Sequence, residues 1–319
     1  MKLLITGVGG FVGGHLVDLL RAEHPEVQVF GVERLHGVAP AGLAAGVTIF
    51  EADLDDAAAV DRVVEAVKPD RVIHLAGQSS VQHSWMDPGG TLRTNVMGLV
   101  HLMDALLRRG LHSRVLVVGS ADEYGPVDAA ELPIREERPL RPRSPYAVSK
   151  AAQGLLAQEY GSSRLAVLVT RTFPHTGPRR GEAFAESSFA RQIAEIEAGR
   201  RDPVLRVGNL DAVRDFSDVR DVVRAYWALL EQGVSGEAYN VCSGKGVRIG
   251  ALLDQLAALA GIAVEVRVDP DRLRPSDIPA LIGDPSKLRR TTAWEPRIGL
   301  ERTLQDLLDD WRSRMAAGR

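Results

Sequence analysis

Three glycines, Gly7, Gly10 and Gly13, stand three residues apart between a short apolar run and a longer one. Leu3, Leu4 and Ile5 read as a buried strand that Thr6 and Gly7 end, and Leu16, Val17, Leu19 and Leu20 as the apolar face of a helix. Each glycine has its own task in so short a reversal: a tight turn, close approach of backbone to a ligand, and close packing of helix on strand. The free N–H groups and the macrodipole at the helix N-terminus then favour a pyrophosphate. Phe11 and Val12, in the same loop, are expected cofactor contacts with the glycines. On its own the spacing also fits a glycine-rich turn that holds no ligand.

The pattern that follows argues for the ligand. Strands are expected at 27–32, 47–51, 71–75, 114–119 and 165–171, with helices at 60–67, 92–109 and 145–160 between them. Leu99, Leu102, Met103 and Leu106 share one face of the second of these helices; Ser144 caps the third, with Pro145 at its first position. Short continuous apolar strands alternating with helices indicate an α/β fold, a doubly wound parallel sheet covered on both faces. Residues 172–186, rich in Gly, Pro and Arg, read as a loop. Helices at 187–198, 219–231, 249–260 and 300–314 and strands at 237–241 and 264–268 complete the chain. The expected division is a dinucleotide-binding domain over 1–172, with returning segments at about 205–242, and a smaller interleaved α/β cap over 173–319. Such a cap lies over the carboxyl edge of the sheet, where ligands bind in open α/β folds.

Composition excludes several classes. A net charge of −3 over 319 residues gives no electrostatic footprint for nucleic acid. Cys242 is the only cysteine, so neither an internal disulfide nor a cysteine-based metal site is expected, and no metal is assigned. No run of about 18 apolar residues occurs, and the chain enters its first strand without a charged leader; a cytoplasmic protein with no membrane partner is expected. With five lysines against 34 arginines, a lysine at a motif position is informative.

The second strand ends at Glu33-Arg34. An acidic residue there would accept hydrogen bonds from an adenosine ribose and favour NADH; the neighbouring arginine would hold a 2′-phosphate and favour NADPH. Asp53 and Leu54 after the third strand are placed near the adenine, and Leu75, Ala76 and Gly77 after the fourth are further cofactor contacts. Tyr146 and Lys150, four apart on one helix, share a face, and Ser120 closes the fifth strand. An ammonium beside a phenol is expected to lower the phenol's pKa from about 10, so that Tyr146 exchanges a proton with an alcohol or ketone while Ser120 polarises the same oxygen.

The set GxxGxxG, Ser120 and Tyr146-Ala-Val-Ser-Lys150 resembles the extended short-chain dehydrogenase/reductases over essentially the whole chain. The segments 187–193, 207–219 and 239–244, with the Asp- and Pro-rich run 269–287, resemble that family's GDP-sugar branch, nearest to reductases that convert GDP-4-keto-6-deoxy-D-mannose to GDP-D-rhamnose. The resemblance implies NADPH or NADH as cofactor, contacts to it from Phe173, His175 and Arg180, and a GDP-sugar substrate. Arg214 and Arg274, with Arg191 third, are the diphosphate clamps it suggests, and Ser84 and Asn95 either touch the hexose or brace the site. It also implies a homodimer paired through 92–109 and 145–160. Sister enzymes are GDP-mannose 4,6-dehydratases, whose extra glutamate falls at Asp122 here, a shorter carboxylate; a nucleotide-sugar 4-epimerase and a non-enzymatic dinucleotide sensor are the remaining alternatives. One departure stands out: where the family has Arg-x-Phe-Asn-His, this chain has Arg171-Thr-Phe-Pro174-His175, and proline offers neither amide nor N–H.

Overall fold

The computed structural model describes residues 1–34, 46–161, 165–273 and 278–317. β1 (Lys2–Thr6) runs through the middle of the molecule, with Leu3 and Ile5 buried in the core on one face of the sheet and Leu4 in the core on the other. A strand buried on both faces needs helices on both, and the chain supplies them. In order come α1 (Phe11–Glu23), β2 (Gln28–Glu33), β3 (Val47–Glu51), α2 (Ala57–Val67), β4 (Arg71–His74), α3 (Val81–Met86), α4 (Pro88–Leu92), α5 (Gly98–Arg108), β5 (Arg114–Ser120), α6 (Pro145–Gly161) and β6 (Ala166–Thr172). The second half has β7 (His175–Thr176), α7 (Ala185–Glu197), β8 (Val204–Val207), β9 (Val213–Asp215), β10 (Ser217–Asp218), α8 (Val219–Gln232), β11 (Ala238–Val241), β12 (Gly246–Arg248), α9 (Ile249–Ala260), β13 (Glu265–Val268), β14 (Ala280–Leu281), α10 (Ser286–Thr292) and α11 (Leu300–Ala316).

Seven strands form the main sheet in the order β11-β6-β5-β4-β1-β2-β3, every neighbour pair parallel. α1 and α8 cover one face; α2, α5 and α6 cover the other. The doubly wound sheet is as expected. α7, α9 and α11 build a separate apolar core with Leu205, Val207, Ala212 and Phe216, above the carboxyl ends of the strands. Leu205, Val207, Ala212 and Phe216 thus pack with the cap, while Val222, Tyr226 and Leu230 of α8 pack in the core of the main sheet. Among the described residues no helix is long and apolar enough to cross a membrane.

Local chemistry explains where elements start. Asp56 accepts from the N–H groups of Ala58 and Ala59, so α2 begins three residues earlier than its apolar run. The helix expected as one piece over 92–109 is interrupted: α4 and α5 are joined by a π-helical turn, Arg93–Met97. The cause lies outside the segment. Asn95, fully buried in that turn, accepts from the Gln78 N–H at 2.7 Å and donates to the Gln78 carbonyl and to Ser149. These bonds draw its side chain inward, and such turns accommodate an extra residue at functional sites. The segment 172–186 is not wholly loop, since β7 pairs with β10 and α7 begins at Ala185.

Candidate active site

A cleft of about 1650 Å³ runs from the loop between β1 and α1, along the carboxyl ends of the strands, and under the cap. The residues of that loop meet the demands of a dinucleotide. Gly7 has φ +71°, and a side chain there would come within 2.9 Å of the Ala76 backbone nitrogen. A methyl at Gly13 would overlap the Val8 carbonyl and lie 2.6 Å from that of Gly7. Gly10 caps α1 without any side-chain bond, so the N–H groups of its first turn stay available to an anion. Gly7, Gly10, Phe11, Val12, Gly13, Glu33, Arg34, Asp53, Leu54, Leu75, Ala76, Gly77, Tyr146, Lys150, Phe173, His175 and Arg180 all line this cleft.

At the β2 end, Glu33 accepts the Gly9 N–H at 2.8 Å, which ties the glycine loop to the strand tip. Arg34 is exposed and lies 3.6 Å from the Asp53 carboxylate. At the other end, the His175 ring stacks on Phe11 with centroids 6.1 Å apart, and its Nδ1 sits 3.0 Å from the Phe173 carbonyl. Burial and the Arg180 charge push its pKa down to about 4, so the ring is neutral. Arg180 itself lies over the Phe11 and Phe184 rings, at 4.8 and 3.4 Å from their centroids, opposite Glu186.

Ser120, Tyr146 and Lys150 come together at the centre of the cleft. Ser120 closes β5 and hydrogen-bonds the Tyr146 hydroxyl. Ser144 caps the first turn of α6 through the Ala147 N–H, as expected. The expected depression of the phenol's pKa is overturned. Burial and the negative charge of Asp122 push Tyr146 well above its ordinary value. Lys150 is turned inward instead, with Nζ 2.8 Å from the Val118 carbonyl and 2.9 Å from Gln153 Oε1. Gln153 in turn donates to the Asn95 carbonyl in the π-turn at 2.9 Å. Burial pulls Lys150 down to about 8.

The remaining expectations divide. Asp122 lines the cleft. Ser84 and Asn95 do not: both are fully buried, Ser84 bonded to the Val81 carbonyl of its own helix and Asn95 to Gln78 and Ser149. Arg214 lines the cleft and donates to the carbonyls of Val213 and Ile278. Arg191 also lines it, but its guanidinium is engaged by Glu195 and Glu182, which weakens it as a clamp. Arg274 lies outside the described residues. Pro174 keeps one polar contact through its carbonyl, which accepts the Ser217 N–H at 3.0 Å. Arg201, Arg272, Gln192 and Asn209 line the cap side of the cleft and were not singled out from sequence. Arg201 is paired with Glu195, as Arg191 is, and Arg272 with Asp269 and Ser188.

Residues 4–307 match the family model described as GDP-mannose 4,6 dehydratase. The chain is 39% identical to a GDP-6-deoxy-D-mannose reductase from Pseudomonas aeruginosa, over 98% of each protein. A GDP-mannose 4,6-dehydratase from Yersinia enterocolitica is 30% identical, covering 96% of this chain and 92% of its own length. The solved structure of RMD from Pseudomonas aeruginosa complexed with NADPH superposes with a TM-score of 0.86 at 37% identity, over 98% of this chain and 99% of that one.

Proposed function

We propose that this chain, which belongs to the GDP-mannose 4,6-dehydratase family of extended short-chain dehydrogenase/reductases, reduces the 4-keto group of GDP-4-keto-6-deoxy-D-mannose to give GDP-D-rhamnose. The observation that carries this reading is the 39% identity, over 98% of each protein, to a GDP-6-deoxy-D-mannose reductase, joined to a cleft that gathers Ser120, Tyr146 and Lys150. Bonded to Ser120 and held above its ordinary pKa, the Tyr146 phenol keeps its proton at neutral pH. A carbonyl being reduced needs a proton donor, and the protonated Tyr146 supplies one.

When bound, the reduced nicotinamide dinucleotide supplies the hydride. Ser120 orients the carbonyl oxygen, and Tyr146 gives that oxygen its proton as negative charge develops on it. Lys150, fixed by Val118 and Gln153, holds the nicotinamide ribose. On the cap side Arg214 takes the diphosphate, with Arg272 and Arg201 on the same wall. Phe173, His175 and Arg180 wall the nicotinamide end.

Glu33 and Arg34 together accept either dinucleotide, the carboxylate bonding a ribose and the guanidinium a 2′-phosphate. Arg34→Ala is expected to raise KM for NADPH about tenfold, one lost charge-assisted contact, with KM for NADH unchanged; initial rates with each cofactor check this. A single buried thiol, Cys242, suits a reducing compartment, and we place the enzyme in the cytoplasm.

The enzyme is proposed to be a homodimer. Leu155 and Val148 of α6 and Leu92 and Met97 before α5 are exposed, as are Trp85 and Met86 of α3, which also reach the rim of the cleft. A patch of this kind calls for a partner, and a second copy meeting it across a two-fold axis closes it isologously. Leu155→Arg is expected to halve the mass seen by light scattering while leaving the melting transition cooperative.

The function is tested by following NADPH and NADH oxidation with GDP-, UDP- and dTDP-linked 4-keto-6-deoxyhexoses. Turnover confined to the GDP sugar supports the reading. The presence of Asp122 two residues after Ser120 favours dehydratase activity as second reading, and a 4-keto sugar made from GDP-mannose alone would establish it instead.

A further inference from the structure

Glu123 lies one residue beyond Asp122 but on the opposite side of the backbone, buried and away from the cleft. It belongs to the short turn Ala121–Tyr124 that follows β5. Its Oε1 accepts the Ser120 N–H at 2.7 Å, while Ser120 Oγ accepts the Asp122 N–H at 3.2 Å, a reciprocal cap. The space it fills exists because Gly119 carries no side chain, and Gly154 lies in contact range on the other side. A methyl at Gly119 would overlap Oε1, and one at Gly154 would sit 3.7 Å from Oε2. Gly154 is one turn along α6 from Lys150, whose Nζ meets the carbonyl of Val118 on the strand that carries Gly119. Glu123 and Lys150 therefore share one buried layer beneath Ser120. From β6, Arg171 brings its Nε to 3.6 Å of Oε2 without bonding it, its Nη1 being engaged by the Tyr124 hydroxyl and the Glu136 carbonyl. Asp122 and Tyr124 are the titratable neighbours on its own turn, and His74, buried at the end of β4, is the titratable group that faces Lys150 from the sheet.

We propose that Glu123 is a positioning residue for the reaction: its bond to the Ser120 N–H sets where Ser120 stands, and its charge keeps Lys150 protonated. The first half rests on the reductase reading; the second rests only on the dinucleotide site. Burial raises Glu123 to about 7 and lowers Lys150 to about 8, so both groups change charge within the working range. The sign follows. Above about pH 7 the ionised carboxylate holds the ammonium charged, and without that carboxylate Lys150 loses its proton at lower pH.

Glu123→Gln keeps an acceptor for Ser120 and removes the charge. Binding of NADPH and of NADH to the purified full-length protein, followed by their fluorescence against pH, should show the alkaline loss of affinity moved about one pH unit toward acid, with the acid plateau and the melting temperature unchanged. Glu123→Asp keeps the charge but shortens the reach; its alkaline limb should stay at the wild-type pH while kcat falls about tenfold, the order expected for a misplaced positioning group, with KM unchanged. A Gln variant with the wild-type limb overturns the charge role, and an Asp variant with wild-type kcat overturns the positioning role. Should the Gln variant not fold, the Asp variant still decides: a limb moved from the wild-type pH overturns the charge role. If no 4-keto sugar is reduced, the substrate reading fails, and the binding limb still tests the charge.

Discussion

Replacing Tyr146 by phenylalanine is expected to lower kcat by roughly two to four orders of magnitude, the usual worth of a placed general acid, and to leave the dissociation constant for NADPH nearly unchanged. The ring stays, so packing along the first turns of α6 is kept; what goes is the hydroxyl that Ser120 bonds. Because burial and Asp122 hold the phenol protonated, no alkaline limb in the neutral range should belong to Tyr146. The limb near pH 8 belongs to Lys150 and should survive in whatever residual activity the variant shows. Steady-state rates with the 4-keto sugar and a fluorescence titration with NADPH check both halves. Unchanged turnover would remove Tyr146 from the mechanism.

The second large effect is on stability. Asp215, fully buried at the end of β9, accepts from the Ser243 N–H at 2.8 Å and its hydroxyl, from the Gly244 N–H at 2.9 Å and from the Gly283 N–H at 3.2 Å. One carboxylate thus joins a cap strand to the loop leaving β11 and to the segment after β14. Burial pushes its pKa up and these donors pull it down only in part, so the carboxylate leans on every one of them. Asp215→Ala strands all of them in the interior and is expected to cost roughly 3–5 kcal/mol, a fall of about 5–10 °C in Tm for a chain of this length. Asp215→Asn keeps one acceptor oxygen and should fall between. Thermal unfolding of the three proteins checks the order.

Much of the fold was legible because the information is local. The glycine spacing, the apolar strand of Leu3–Ile5 and the Tyr146–Lys150 pair each depend on neighbours within about two helical turns, where periodicity and steric demand speak directly. The features that were missed are long-range. The π-turn at Asn95 follows from bonds to Gln78 and Ser149, neither adjacent in sequence. The inward turn of Lys150 depends on Val118, on a strand that lies 32 residues earlier. Helical spacing placed Lys150 beside Tyr146 correctly, yet it could not say which way a four-carbon stem would lean, and the pKa expectation failed there. Glu123 was hidden by its place next to Asp122: alternation of faces in a tight turn sends one carboxylate to the cleft and the other to the core. Arg201 and Arg272 reach the cleft only through the packing of the cap against the sheet, which no local pattern encodes.

The reductase reading turns on where a hydride goes. The direct measurement is to supply nicotinamide dinucleotide deuterated at the transferable position with GDP-4-keto-6-deoxy-D-mannose, and to locate the label in the product by NMR. A single deuterium at C4 of a GDP-6-deoxyhexose, with one equivalent of cofactor oxidised, is the predicted result. Conversion of GDP-mannose with no net consumption of cofactor, its own C4 hydrogen reappearing at C6, would contradict it.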